Sequence, residues 1–438
     1  MHKFKTIFSK KTKNVIEYFG VCHDCKKPNT GIEWCNKCDP GRFLREGKTS
    51  GNPEIDKLIH ESQLNTDDRY NLEWIPYDKF LDIKSISEGG FSNIFSASWN
   101  NKRRNPNGSI IVALKKFKNS IKMTETFINE IKMYNEFDNS LRLYIVQFYG
   151  ITKDPQTEEF MMVLKFADES LREYLKKNFH NLNWKEKLNI LCNIADSLDI
   201  IHKNNYIHKD LHSGNILQFY MDVKVTKIAD LGIAKLIQNS RSSDSSNVCG
   251  VLPYIAPEVL YGEPYTFASD IYSFGIIMIE MTTRRSPYSN VPHDEKLALA
   301  ICNGLRPRVA KGTPKVYINL VNQCLDANPE KRPKNLSYYL HYLKSYKNFI
   351  DINSQDSTSE NKFHSEAIYI SRYMSFTNLT IPRNSTKVQI EDSKVSDSQL
   401  IDQHISDDFQ SSFDQDYIEM NENVDKIDLI KYYTEDDE

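Results

Sequence analysis

The chain has 438 residues, 39% hydrophobic and 26% charged, with a formal net charge of -3. That is enough apolar material to bury one two-layered core with extensions, and the near-neutral balance does not mark a nucleic-acid-binding surface. No repeat, coiled-coil heptad, nucleic-acid-reading motif or signal peptide is visible, and the apolar run FGIIMIEM (274–281) is far too short to span a bilayer. A cytoplasmic location is expected, with nuclear access left open, and neither nucleic acid nor membrane insertion is expected.

In chain order, residues 1–19 form a basic arm whose lysines read as a solvated face. Residues 20–40 hold Cys22 and Cys25 in CHDC and Cys35 and Cys38 in CNKC, with nine residues between the pairs. This spacing suits two thiolate knuckles around one tetrahedral Zn2+, as in a zinc ribbon. Disulfides and plain reduced thiols are the competing readings, and the lack of a secretory signal counts against disulfides. His23, inside the first pair, reads as a bystander. Cys192, Cys249, Cys302 and Cys324 are scattered and read as packing residues. Residues 41–76 form a connector without a recognisable motif.

Further on, IIVALKKF (110–117) alternates as a strand does, so Ala113 and Lys115 share one face. Phe127, Ile131 and Tyr134 then recur at helical spacing. Glu130 lies among them on the buried stripe, where a carboxylate needs a partner.

The segments ISEGGFSNIF (86–95), VALK (112–115), HKDLHSGN (208–215), ADLG (229–232), PYIAPE (253–258), SDIYSFGIIMIEM (269–281) and NPEKRP (328–333) follow in one order. Each alone is weak; together they resemble the protein kinase family over residues 77–349. The resemblance is to the tyrosine-kinase-like serine/threonine kinases. It implies an α+β, two-lobed fold with a small β-rich lobe and a larger helical one. It also implies phosphoryl transfer from ATP to protein hydroxyls, with a protein substrate and an upstream kinase as partners. By the same resemblance Asp210 faces the accepting hydroxyl, and Asn215 and Asp230 bind Mg2+. Lys115 pairs with Glu130 to align the nucleotide phosphates. Ile86, Gly89, Gly90, Ile94, Ala113, Lys115, Leu164, Ala167 and Leu217 would surround ATP, Asp270 would anchor the loop holding Asp210, and Arg332 would pair with Glu258.

The match departs from the family pattern in five places. Ser87 and Ser92 replace two glycines of the phosphate-covering loop; a Cβ restricts positive φ, so a stiffer loop is expected. Lys209 stands where arginine is common and lacks its bidentate fork. His212 replaces a lysine and is only partly charged near neutrality, or else is a neutral ring satisfied by hydrogen bonds. Val251 replaces a threonine. Ser240, Ser242, Ser243, Ser245 and Ser246 read either as phosphorylation sites that order the loop or as a polar loop.

Residues 350–438 are expected to form an acidic, serine-rich disordered tail. From residue 355 the stretch has 19 acidic and 7 basic side chains, and self-association with the basic part is one reading of it. Tyr369, Tyr373, Tyr417, Tyr432 and Tyr433 are candidate modification sites. Two rival functions stand beside an active kinase. One is a pseudokinase scaffold that binds nucleotide or partners, and the other is a metal module regulated by the kinase domain.

Overall fold

A computed structural model describes residues 20–30, 34–65, 71–101, 108–118, 125–136, 144–220, 224–231, 235–236, 248–345 and 363–384. The basic arm, the serine cluster at 240–246, and residues 350–362 and 385–438 of the tail lie outside the described residues, with Tyr417, Tyr432 and Tyr433.

The chain opens on α1 (Arg42–Arg45), α2 (Pro53–Asn65) and β1 (Glu73–Trp74). Next come β2 (Phe80–Glu88), β3 (Ser92–Asn100), β4 (Ser109–Phe117), α3 (Glu125–Glu136), β5 (Phe148–Lys153) and β6 (Phe160–Lys165). The sheet order is β1-β5-β6-β4-β3-β2. All of its pairs are antiparallel except β1 with β5. The alternation in β4 is realised: Val112 and Leu114 enter a core with Phe80, Trp99 and Val163, while Ala113 is only half-buried on the other face. α3 buries Phe127, Glu130, Ile131 and Tyr134 along one stripe.

The connector that carries no motif is structured. α2 buries Ile55 and Ile59 completely and packs on α3 and β1. Asn135 Nδ2 donates to the Leu58 carbonyl at 2.9 Å, and Gln63 joins Gly41 N–H to the Leu72 carbonyl, each at 3.0 Å. The sheet therefore begins at Glu73, ahead of residue 77. The close β1–β5 approach needs glycine at 150: φ is +156°, and a Cβ there would lie 2.0 Å from the Glu73 carbonyl oxygen. α2 was not legible because its buried apolar residues are interleaved with polar Ser62 and Gln63, which are satisfied by backbone groups of Gly41 and Leu72 outside the helix.

The large lobe continues with β7 (Glu169–Ser170), α4 (Leu171–Asn178) and α5 (Trp184–Lys203). β8 (Tyr206–Ile207), β9 (Ile216–Tyr220), β10 (Lys224–Ile228), β11 (Lys235–Leu236) and β12 (Val248–Gly250) follow. Then come α6 (Pro257–Tyr261), α7 (Phe267–Thr283), α8 (Glu295–Cys302), α9 (Lys315–Cys324) and α10 (Leu336–Ser345). α5 starts at a reciprocal cap between Asn183 and Glu186 and packs on α10 and β10. α7 is buried along nearly its whole length and is the axis of this lobe. Among the described residues no helix is long and apolar enough to cross a membrane.

Within the acidic stretch, residues 363–384 follow a defined course. Their strand β13 (Arg372–Met374) pairs antiparallel with β12. Nothing in their composition marks this, because the contacts are to groups far away in the sequence.

Candidate active site

The loop from His208 to Asn215 joins β8 to β9, and one buried carboxylate holds its start. Asp270 on α7 accepts from His208 N–H at 2.8 Å and Lys209 N–H at 3.0 Å, and contacts His202 Nε2 at 2.8 Å. Two backbone donors on one carboxylate allow Lys209 its left-handed φ of 71°. The Lys209 ammonium lies over the Tyr265 ring, 5.3 Å from its centroid.

Asp210 is buried, and Asn215 Nδ2 donates to its carbonyl at 2.9 Å and to Oδ2 at 3.3 Å. Burial pushes the Asp210 carboxyl up, but contacts with His212, Ser371 and His208 outweigh it and hold it below the usual carboxylate range. Its Oδ1 is buried with no hydrogen-bond partner among the described residues, leaving one acceptor free. His212 Nδ1 accepts from Gly214 N–H at 3.0 Å, and its Nε2 lies 3.6 Å from Asp210 Oδ2.

Across the cleft, Lys115 Nζ donates to both Glu130 oxygens, at 2.9 and 2.7 Å, and to Asp230 Oδ1 at 2.8 Å. Burial pulls the Lys115 ammonium down, but Asp230 and Glu130 outweigh it and keep the group charged. Asp230 has a left-handed φ of 61°, a conformation non-glycine residues seldom adopt without support.

The phosphate-loop expectation needs correcting. Ser87 and Ser92 lie in the paired strands β2 and β3, and neither they nor Gly89 and Gly90 have positive φ. The two serines therefore impose no left-handed strain. Gly89 N–H closes the turn on the Ser92 carbonyl at 2.8 Å. Of the remaining residues expected around a nucleotide, Ile86 is exposed, while Ile94, Ala113, Leu164, Ala167 and Leu217 are half-buried. Register sets Ala113 opposite Leu164, and Ile94 opposite Lys115.

The protein tyrosine and serine/threonine kinase family model matches residues 81–339, more than half of the chain. The chain belongs to the protein kinase family. A probable serine/threonine-protein kinase of Dictyostelium discoideum is 28% identical over 289 residues, covering 61% of this chain and 28% of the relative's own length.

In this kinase a further polar cluster lies beneath the loop. Ser213 Oγ donates to Glu280 Oε1 at 3.1 Å, accepts from Arg172 Nε at 3.3 Å and meets Tyr254 Oη at 3.2 Å. Sequence reasoning passed over these residues. The available signal was Glu280 inside FGIIMIEM, a carboxylate with no water to solvate it. Distant from the cleft, Arg332 grips Glu258 with two bonds of 2.6 and 2.7 Å, as the motif implied.

At the N-terminal end, Cys22, Cys25, Cys35 and Cys38 converge, with all four sulfurs within 4.8 Å of one another. Cys25 and Cys35 sulfurs are 3.8 Å apart, which is about the edge of a tetrahedron with metal–sulfur bonds of ~2.3 Å. The His23 side chain is 91% exposed, in keeping with the bystander reading. Arg42 reaches Asp24 and Asp39, each at 2.8 Å, and so clasps both knuckles to α1.

Proposed function

We propose that the chain is an active kinase that transfers phosphoryl groups from ATP to serine or threonine hydroxyls of proteins. The observation that carries this reading is the closed Lys115–Glu130 pair, 2.7 Å at its shortest, in the same fold as a held Asp210–Asn215 loop. Lys115 would bind and orient the nucleotide phosphates. Asp210 would orient the accepting hydroxyl and take its proton.

Asn215 and Asp230 fit Mg2+, which when bound neutralises phosphate charge. The Asn215 amide nitrogen is committed to Asp210, which leaves its carbonyl oxygen for a hard cation, and the Asp230 side chain is 41% exposed. A serine-length acceptor is favoured because a serine hydroxyl is what reaches Asp210 in this structure. The Dictyostelium relative bears a serine/threonine designation, which agrees. The four cysteines would hold a structural zinc.

Asp210→Asn is expected to abolish turnover while leaving nucleotide affinity nearly unchanged, and Lys115→Met to abolish turnover as well. Magnesium-dependent transfer to an added protein acceptor, measured beside nucleotide binding, tests this. Nucleotide binding without turnover by the wild-type chain would instead favour the scaffold reading.

A further inference from the structure

The segment 363–384 lies across the face where an accepting chain must approach Asp210. Before Ser371, His364 N–H bonds the Ser289 carbonyl at 2.9 Å, and His293 N–H bonds the Glu366 carbonyl at 3.0 Å. The Ile368 carbonyl accepts from His293 Nδ1 at 2.8 Å. Tyr369 donates its hydroxyl to the Pro287 carbonyl at 2.8 Å, and its ring lies 5.0 Å below the Arg172 guanidinium.

After Ser371, β13 sets Arg372 opposite Gly250 and Tyr373 opposite Cys249. The Tyr373 ring meets Phe91, on the turn between β2 and β3, at 5.3 Å. Farther along, Arg383 N–H bonds the Cys302 carbonyl at 3.0 Å, and Asn384 accepts from Ala327 N–H at 2.8 Å.

Between these anchors Ser371 donates its hydroxyl to Asp210 Oδ2, with Oγ 3.4 Å from His212 Nε2. The backbone passes so close to the phosphate-covering turn that a Cβ at Gly90 would lie 1.9 Å from the Ser371 carbonyl oxygen. Backbone pairing holds the strand, side chains fix it on both sides, and one hydroxyl is presented to the carboxylate assigned as proton acceptor. This is how a substrate would be held.

We propose that Ser371 is an acceptor within the chain itself, phosphorylated intramolecularly, and that its modification releases the segment from the cleft. The proposal rests on the kinase reading above. The Ser371 oxygen attacks the terminal phosphorus of a nucleoside triphosphate. A new O–P bond forms as the bond to the bridging oxygen breaks, with its electron pair leaving on the diphosphate. The hydroxyl proton passes to Asp210. Once Asp210 passes that proton on to solvent, the product carries about -1.5 to -2 charges against its carboxylate, and like-charge repulsion in a buried site drives the strand off β12.

The test uses the full chain, stripped of phosphate and then given Mg2+ and ATP, with phosphosite mapping, hydrogen exchange and transfer to an added protein acceptor followed together. Without nucleotide, the amides of 372–374 are expected to be protected. With it, one phosphate appears on Ser371 at a rate independent of protein concentration, protection is lost, and transfer to the acceptor rises severalfold as release proceeds. Ser371→Ala should keep the protection and lose the rise, and Ser371→Glu should lack protection from the start.

A severalfold rise in transfer to the added acceptor with Ser371 unmodified would overturn this proposal alone. So would a Ser371 rate that scales with protein concentration, or unprotected amides at 372–374 in the untreated chain. No transfer to any acceptor, in a chain that binds nucleotide, would overturn it together with the kinase reading.

Discussion

Glu280 shows how a single buried residue makes stability depend on pH. Burial pushes its carboxyl up to about 7, outweighing Arg172, Tyr254 and Ser213, and its Oε2 has no hydrogen-bond partner among the described residues. A carboxyl whose folded value lies above its unfolded value stabilises fully below the unfolded value, near 4.5. That contribution declines as pH rises and is gone above about 7. Glu280→Gln keeps the shape and cannot ionise. It is expected to raise the thermal midpoint above pH 7, with a gain on the order of 2–3 kcal/mol that shrinks towards pH 5. Melting curves of both forms across that range check it, and parallel curves would place the carboxyl elsewhere in charge. Gly90 belongs to this scale too. Gly90→Ala would drive a methyl into the Ser371 carbonyl, so the hydrogen-exchange protection of β13 should fall.

Among elements, α2 is the one whose weight the sequence conceals. Ile59 is fully buried, so Ile59→Ala is expected to cost about 2–5 kcal/mol, read as a lower denaturation midpoint. Because α2 packs on α3, which carries Glu130, the same change should also weaken the Lys115–Glu130 pair and lower turnover beyond what unfolding explains. The cysteine knuckles make a parallel test. Protein purified under reducing conditions should carry one zinc per chain, and Cys22→Ser should lose it. Since α1 and Gln63 link the knuckles to α2, chelation should also lower the kinase domain's melting midpoint. Metal-free protein with an unchanged melt would refute both statements.

At the scale of the molecule, much of the kinase fold and its charged groups could be read directly from the chain. Residues that must meet for chemical reasons are spaced by the fold itself, as Lys115, Glu130, Asp210 and Asp230 are. The stretch around Ser371 escaped because its partners, Asp210, Pro287, Arg172 and Phe91, are far away in the sequence and leave no local pattern. α2 escaped because its polar Ser62 and Gln63 are buried against backbone groups outside the helix and break its apolar period. The parallel β1–β5 pair carries a practical consequence for dissection. Cutting the chain at residue 77, where the family motifs begin, would strip β5 of its neighbour and lay bare the apolar flank of α3. Backbone groups at Gly150 and Ile151 left unpaired beside exposed aliphatic surface invite intermolecular association. Such a fragment would be judged inactive because it precipitates, whereas one beginning before Pro53 should stay dispersed in solution.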